Sequence, residues 1–336
     1  MKNILLLLFL SIKLASFAQD PHFSQYYASP ITLNPAMTGF VESDSRVAFN
    51  FRNQYWSVGK PFTTGTVSYD FMIARNSIPI NDKLAIGLLG MYDCSSGGAF
   101  KNVNLSVSGA YHKSLNEDGN SSLALGFQST FASRKIAFEG LHFASQFTSG
   151  GFNANLPNNE TGLVSTKSYL DMNVGLLYSF VNESSDYYLG ASLYHFNQPN
   201  VSFSSEQKYK LPMRFAIHAG GHIKTGENNN KVFLSGAYMS QAGASDKILG
   251  MAYGINLGDW ESADYMLNIG GWYRIKEAII PYVGIDWGNM KWGLTYDVIN
   301  SDLKNASSKT GSFELSFILL MNKAKNYYSN YKKGRF

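Results

Sequence analysis

Two histidines have a spacing that can serve metal chemistry. His218 and His222 stand four residues apart, which on a helix would place both imidazoles on one face, within reach of one ion. The residues around them, however, alternate between apolar and polar as in a strand. At about 3.3 Å per residue, the two rings then lie ~13 Å apart, too far to share a metal. We therefore predict that both histidines line an interior, with no metal site and no cofactor.

Nucleophilic chemistry has little support either. The single cysteine, Cys94, excludes an intramolecular disulfide and a multi-cysteine metal site, and the serines and glycines of residues 95–98 beside it indicate a loop. The sequence has no G-x-S-x-G element, phosphate-binding loop or dinucleotide fingerprint. The net charge of +4 is small and scattered, which argues against a nucleic-acid partner. We predict a protein that is not an enzyme.

Other polar side chains recur at alternate positions of strand-like segments. Alternation of this kind predicts that one face of each strand lines a wet interior and the other contacts an apolar medium. The residues expected on the inner face are Asp171, Asn173, Arg214, His218, His222, Lys291, Asp297 and Glu314.

The segments that carry these residues are about ten residues long. Residues 102–112 show the alternation most clearly, with one apolar face (Val103, Leu105, Val107, Gly109 and Tyr111) and one polar face (Asn102, Asn104, Ser106, Ser108 and His112). Fourteen strands are predicted, at residues 46–56, 64–74, 83–92, 102–115, 121–137, 169–180, 187–197, 213–224, 231–241, 247–257, 265–275, 278–288, 290–298 and 311–322.

A soluble β-sandwich also has alternating strands, but this chain has further features of a membrane barrel. About ten residues tilted by ~40° rise roughly 25 Å, the height of the apolar band of outer-membrane barrels. Aromatic residues make up 15% of the chain, as expected for two interfacial girdles. Those near predicted strand ends are Trp56, Tyr92, Tyr111, Tyr178, Tyr194, Trp287 and Trp292.

The connections between strands predict an orientation. The long links, residues 138–168, 198–212 and 299–310, all follow odd-numbered strands, whereas the links after even-numbered strands are mostly short and turn-rich. Long loops of such barrels are external. We therefore predict an all-β, single-domain, antiparallel transmembrane barrel over residues 46–322, with both chain termini in the periplasm.

The ends of the chain predict export and an unusual tail. Residues 1–18 combine Lys2, an apolar run over residues 4–10 and small residues before Ala18, which predicts a signal peptide cleaved there. The destination would be the outer membrane of a Gram-negative cell. Residues 323–336 form a tail with five basic residues and no acidic ones. The tail is expected either to be a solvated end or to contact an acidic partner or anionic headgroups.

The long link at residues 138–168 is rich in phenylalanine and poor in charge. A constriction loop of a porin normally carries clustered charges, which this link does not have. We expect it to pack onto its own barrel mouth, onto another protein, or onto both. The candidate contact residues are Phe138, Phe143, Phe147 and Phe152.

Residues 19–45 are expected to be a periplasmic or plug segment, and they carry a fingerprint. Pro21 precedes an F-S-Q-Y element formed by Phe23, Ser24, Gln25 and Tyr26, and an N-P-A-x-x-G element follows with Asn34, Pro35, Ala36 and Gly39. They resemble the opening of the PorP/SprF family, outer-membrane proteins of type IX secretion and gliding motility in Bacteroidota. Residues 52–56, R-N-Q-Y-W, resemble the R-x-Q-W element of that family, with Tyr55 as a departure.

The resemblance implies a fourteen-stranded barrel without enzymatic activity. It further implies work with the periplasmic secretion machinery, or with a secreted surface protein whose C-terminal sorting domain the barrel retains or helps deliver. A passive outer-membrane channel for small or hydrophobic solutes is the alternative. In either case outer-membrane lipid surrounds the barrel. The fingerprint residues would bind a partner, fill the lumen as a plug, or cap the periplasmic rim.

Overall fold

The computed structural model describes residues 20–55, 61–73, 79, 81–138, 141–159, 162–226, 228–258, 265–300 and 311–322. The predicted signal peptide at residues 1–18, Trp56 and the basic tail at residues 323–336 lie outside these ranges, and those predictions stand untested.

Within the described residues, fourteen antiparallel strands close into one barrel, in which β1 pairs with β16. The predicted fold class is confirmed. The strands are β1 (Ser45–Gln54), β2 (Phe62–Ile73), β3 (Lys83–Ser95), β4 (Phe100–Ser114), β5 (Ser121–Ile136), β8 (Thr166–Val181), β9 (Ser185–Tyr194), β10 (Arg214–Thr225), β11 (Asn230–Gln241), β12 (Ala244–Asn256), β13 (Tyr265–Arg274), β14 (Ala278–Trp287), β15 (Met290–Ile299) and β16 (Gly311–Met321). A two-stranded hairpin that the sequence did not predict, β6 (Phe147–Thr148) and β7 (Gly151–Phe152), lies in the link between β5 and β8.

The two faces of the sheet differ as the alternation predicts. On β4, Val103 and Leu105 point outward and are 42% and 61% exposed, whereas Asn102, Ser106 and Ser108 point inward and are buried. Tyr92, Trp287 and Trp292 also lie on the outer face near strand ends. Tyr194 does not, because it shares the inward parity of Ser192 and is buried in the lumen. The prediction that Tyr194 belongs to an interfacial girdle was wrong.

The two ends of the barrel differ in their connections. The strand ends that flank the links at residues 137–165, 195–213 and 300–310 lie at one end, which we call the loop-rich end. The links at residues 182–184, 226–229 and 288–289 lie at the opposite, short-turn end. The first residue of β1, Ser45, and the last residue of β16, Met321, both lie at the short-turn end.

Residues 20–44, which we call the lumen segment, run inside the barrel. The segment contains three short helical turns, Tyr26–Ala28, Pro30–Leu33 and Pro35–Met37. No helix among the described residues has the length and apolar character needed to cross a bilayer. Asp20 lies beside His195 and Arg214 at the loop-rich end, and the chain then descends to β1. The segment therefore folds back through the barrel from the loop-rich end to β1. The prediction that both chain termini are periplasmic stays a prediction, because residues 1–19 and 323–336 lie outside the described ranges.

Candidate functional site in the barrel lumen

The lumen segment contacts every strand of the barrel. Hydrogen bonds, ion pairs or ring contacts join it to β1, β2, β4 and β8–β16. Gly39 and Ala36 lie against β3 and β5. The fingerprint residues Phe23, Ser24, Gln25, Tyr26, Asn34, Pro35, Ala36 and Gly39 are all buried there, and Pro21 is half-buried.

The F-S-Q-Y element is held by two acidic residues of the wall. Glu314 on β16 accepts hydrogen bonds from the backbone N–H of Ser24 (2.7 Å) and of Gln25 (2.8 Å). Asp297 on β15 accepts one from the Ser24 hydroxyl (2.8 Å). Asn50 on β1 also donates to Glu314, at 2.9 Å. The buried carboxylate of Glu314 thus satisfies two backbone N–H groups of the segment.

Two buried arginines balance these carboxylates. Arg52 on β1 pairs with Asp297 at 2.7 Å and with Glu314 at 3.2 Å, and Arg274 on β13 pairs with Asp297 at 3.0 Å. Both guanidinium groups also donate to the Ser24 hydroxyl. The side chains of these two arginines, Asp297, Glu314 and Ser24 therefore form one connected cluster, which we call the arginine cluster. Removing one charged member would leave its partner unpaired in a buried site, at a cost of ~3–5 kcal/mol.

The N-P-A-x-x-G element forms a turn fixed to the opposite wall. The Asn34 side chain accepts a hydrogen bond from the Ala36 N–H (2.8 Å), which caps the turn Pro35–Met37. Its amide nitrogen donates to the Leu176 carbonyl at 2.9 Å and lies 3.0 Å from Nε2 of His218. His218 therefore lines the lumen as predicted and contacts the segment.

Glycines allow the close approach of this turn. A Cβ atom placed on Gly126 of β5 would lie 2.3 Å from the Ala36 nitrogen, and one on Gly175 of β8 would lie 1.9 Å from Oδ1 of Asn34. Gly39 itself has a φ of +71°, a conformation that favours glycine, and a Cβ there would lie 2.2 Å from Cβ of Ala85. Wall and segment thus fit only because all three positions have no side chain.

Packing and one further ion pair complete the contact. Tyr27 packs against both Trp272 and Tyr282, with ring centroids 5.1 and 6.1 Å away. Toward the short-turn end, Arg46 pairs with Asp70 at 2.9 Å and donates to the Met37 carbonyl. The segment is therefore anchored along its whole length.

The loop-rich end holds the start of the segment with a second set of charges. Asp20 lies 2.5 Å from Nε2 of His195, whose Nδ1 lies 2.9 Å from Asp171, and Arg214 is 3.6 Å from Asp20. Burial disfavours the charged imidazole, but the two flanking carboxylates outweigh it and raise the pKa of His195 from 6.5 to about 9. Burial likewise opposes ionisation of Asp20, yet His195 and Arg214 hold its pKa well below the ordinary value.

This arrangement predicts release of the segment's start at alkaline pH. Because the folded pKa of His195 is raised, the contribution of its charge is complete below about pH 6.5 and is lost as pH rises through about 9. A spin label on Pro21→Cys, in a Cys94→Ser background, should be immobile at pH 6 and mobile at pH 10. A label on Phe40→Cys, beside the Arg46 anchor, should stay immobile. Equal behaviour of the two labels would contradict this assignment.

Between the segment and the wall there remains a small polar space. A cavity of about 60 Å³ lies against β3, β4, β5 and β8 near the loop-rich end. Asn102, Asn104, Gln128 and Arg134 line it, each with one polar atom that has no protein partner in the structure. A cavity of this size and polarity suits a few water molecules.

Outside the lumen, the phenylalanine-rich link divides into two parts. Phe138 and Phe143 pack on each other and are half-buried. Phe147 and Phe152, on the β6–β7 hairpin, are 57% and 37% exposed, and His142 stacks on Phe152 at 3.8 Å. An exposed aromatic surface therefore stands at the loop-rich end.

The predicted inner-face residues mostly contact the segment or its anchors. Asp171, Arg214, His218, Asp297 and Glu314 do so directly or through one neighbour, and Asn173 is buried beside the cavity. His222 instead pairs with Asp186 at 2.7 Å, and Lys291 is exposed at the short-turn end. The described residues bring no three potential metal ligands together. Sequence reasoning missed the anchoring roles of Asp20, Arg46, Asp70, His195 and Arg274.

Comparison with solved structures finds other outer-membrane barrels. The toluene transporter TbuX of Ralstonia pickettii is 8% identical, with 87% of this chain and 92% of that chain covered and a TM-score of 0.46. The translocator domain of the autotransporter NalP from Neisseria meningitidis is 9% identical, with 87% and 95% covered and a TM-score of 0.44. These barrels differ in activity, and what each transports is its own property.

Comparison with sequences gives a result for the family. No curated protein sequence matches it. A family profile described as "Type IX secretion system membrane protein PorP/SprF" matches residues 15–319, which include the lumen segment and nearly the whole barrel. The chain therefore belongs to the PorP/SprF family of type IX secretion system membrane proteins and is an outer-membrane barrel.

Proposed function

We propose that this barrel is a non-enzymatic docking component of type IX secretion and gliding motility. It holds a secreted cell-surface protein, through that protein's C-terminal sorting domain, or the periplasmic secretion machinery. The barrel acts as a rigid scaffold in the outer membrane, and its lumen segment closes the pore that fourteen strands would otherwise enclose.

The filled lumen is the observation that carries this proposal. A barrel of this size without a plug would leave a water-filled passage wider than that of an eight-stranded barrel. Here the segment contacts all fourteen described strands and is held by the arginine cluster, the Asn34 turn and the Arg46–Asp70 pair. The passive-channel alternative requires a passage, and the anchored segment occupies it.

The exposed pair Phe147 and Phe152 supports docking on the external side. Large aromatic side chains at a surface are the residue type that most often dominates protein–protein contacts. Phe147 and Phe152 are 57% and 37% exposed, so a partner that covered them would remove apolar surface from water. A sorting domain with an apolar patch is a partner of the required kind.

Affinity purification from solubilised outer membranes tests the proposal. We expect the tagged protein to retain a secreted surface protein or a periplasmic secretion component. If the partner is a surface protein, the variant Phe147→Ser/Phe152→Ser should retain at least about tenfold less of it. A tenfold loss of affinity corresponds to the removal of ~1.4 kcal/mol from an interface. Leu115→Ser is the matched control, since Leu115 is 53% exposed but lies at the short-turn end. Absence of any co-purifying secretion protein would contradict the docking role, and an unchanged yield with the double variant would exclude the hairpin as the contact.

A further inference from the structure

Two lysines project side by side from the outer wall at the loop-rich end. Lys101 on β4 and Lys135 on β5 are direct partners in the sheet register, and both are exposed. They continue the outward-facing rows that hold Val103 on β4 and Phe131 on β5, which are 42% and 53% exposed. The two lysines are therefore neighbours across the ladder, at the end of the outward-facing apolar rows.

The position of the pair corresponds to a headgroup layer. The outward row of β4 has a lysine at each end, Lys101 and Lys113, with Val103, Leu105, Val107, Gly109 and Tyr111 between them. At ~3.3 Å per residue and a tilt of ~40°, the two lysines lie roughly 30 Å apart along the membrane normal, about the thickness of the hydrocarbon core. Each lysine thus reaches the headgroups of one leaflet.

Charge compensation differs between the two ends. Lys113 pairs with Asp82 at 3.1 Å, and Tyr111 also donates to that carboxylate. Among the described residues, no acidic side chain pairs with Lys101 or Lys135, whose other register partners are Cys94 and Thr166. Like charges directly opposite in a sheet repel each other. The hydroxyls of Ser133 and Ser168, 3.3 Å apart, lie on the same outward face.

We propose that Lys101 and Lys135 bind the phosphate of a phosphorylated glycolipid in the outer leaflet, with the Ser133 and Ser168 hydroxyls as further donors. The acyl chains of the lipid then lie along Val103, Leu105 and Phe131. A phosphate between the two ammonium groups removes their repulsion and places a headgroup at the level the strand geometry requires. The long loops of such barrels are external, so lysines at the loop-rich end would face the outer leaflet.

Native mass spectrometry of the intact protein in an uncharged detergent tests this site, with diphosphorylated lipid A as the probe. We expect one tightly bound lipid on the wild-type protein, and an apparent affinity on the order of tenfold weaker for Lys101→Gln/Lys135→Gln. Lys113→Gln, which removes the compensated lysine at the other end of the same row, should bind as the wild type does. Lipid A without phosphates should bind the wild type as weakly as the double variant binds the intact lipid.

The comparison of lipids uses only the wild-type protein. It therefore tests the need for a phosphate even if the double variant folds poorly. Equal binding of dephosphorylated lipid A, or equal binding of phosphatidylglycerol, would overturn the assignment to a phosphorylated glycolipid. So would an unchanged affinity in a folded double variant, with folding checked by heat-modifiable gel migration.

Discussion

Gly126→Val is expected to force the lumen segment off the wall and to open the barrel to ions. The first atom of any side chain at this position would lie 2.3 Å from the Ala36 nitrogen and 2.4 Å from the Pro35 carbonyl carbon. Both are backbone atoms of a capped turn, so no flexible group can move aside. Overpacking of this kind costs ~1–3 kcal/mol or more, and here the strain falls on the contact between segment and barrel rather than on the strand ladder. Planar-bilayer recordings should show conductance well above that of the wild type.

Gly109→Val is the matched control for this substitution. Gly109 lies on the neighbouring strand, opposite Phe127 in the register, and faces outward. A Cβ there meets only the Ala85 carbonyl oxygen, at 3.8 Å, which is ordinary contact. Its conductance and thermal midpoint should match the wild type. If both valine variants open the barrel equally, or neither does, the Asn34 turn is not what holds the segment against β5.

Arg52→Ala is expected to cause the largest loss of stability among single substitutions in the lumen. Arg52 forms an ion pair with Glu314 and is one of two arginines that pair with Asp297. Its side chain is 2% exposed. Its removal leaves Glu314 buried among backbone N–H groups without a cation, which costs ~3–5 kcal/mol. The midpoint of heat-induced loss of the folded gel form should fall markedly, and a label near Ser24 should become mobile.

Two further variants distinguish lost charge balance from lost packing. Arg52→Met/Glu314→Gln removes both charges and should recover much of the midpoint, because no unpaired carboxylate remains. Lys113→Ala breaks an ion pair whose lysine is 55% exposed, and exposed pairs contribute only ~0–1 kcal/mol, so it should change little. A double variant no more stable than Arg52→Ala would show that side-chain packing, and not charge, is what Arg52 contributes.

The barrel was predictable from the sequence because each strand carries its own signal. In β4 the alternation of Val103 and Leu105 with Asn102 and Asn104 assigns both faces without reference to any other part of the chain. The same parity could have placed Tyr194 correctly, since Ser192 two residues earlier faces inward. Tyr194 was instead assigned to the interfacial girdle because it is an aromatic residue near a strand end.

The path of the lumen segment was not predictable in the same way. Residues 20–44 have no period, so the fingerprint identified a family while leaving plug and rim cap equally open. Inward parity showed that Asp297 and Glu314 face the lumen, but which arginines reach them depends on the stagger of strands around the barrel. Asp20 and His195 meet only because the chain folds back through its own lumen. No local pattern encodes such a contact.

Whether the intact barrel conducts ions is the most direct test of a scaffold closed by its own amino-terminal segment. Purified full-length protein in planar bilayers at neutral pH should give no steady open-channel current, since the segment is anchored by the arginine cluster and the Asn34 turn. Gly126→Val, recorded in the same bilayers, provides the signal expected of a displaced segment. A steady current from the wild-type protein equal to that of Gly126→Val would contradict the closed scaffold and favour a passive channel.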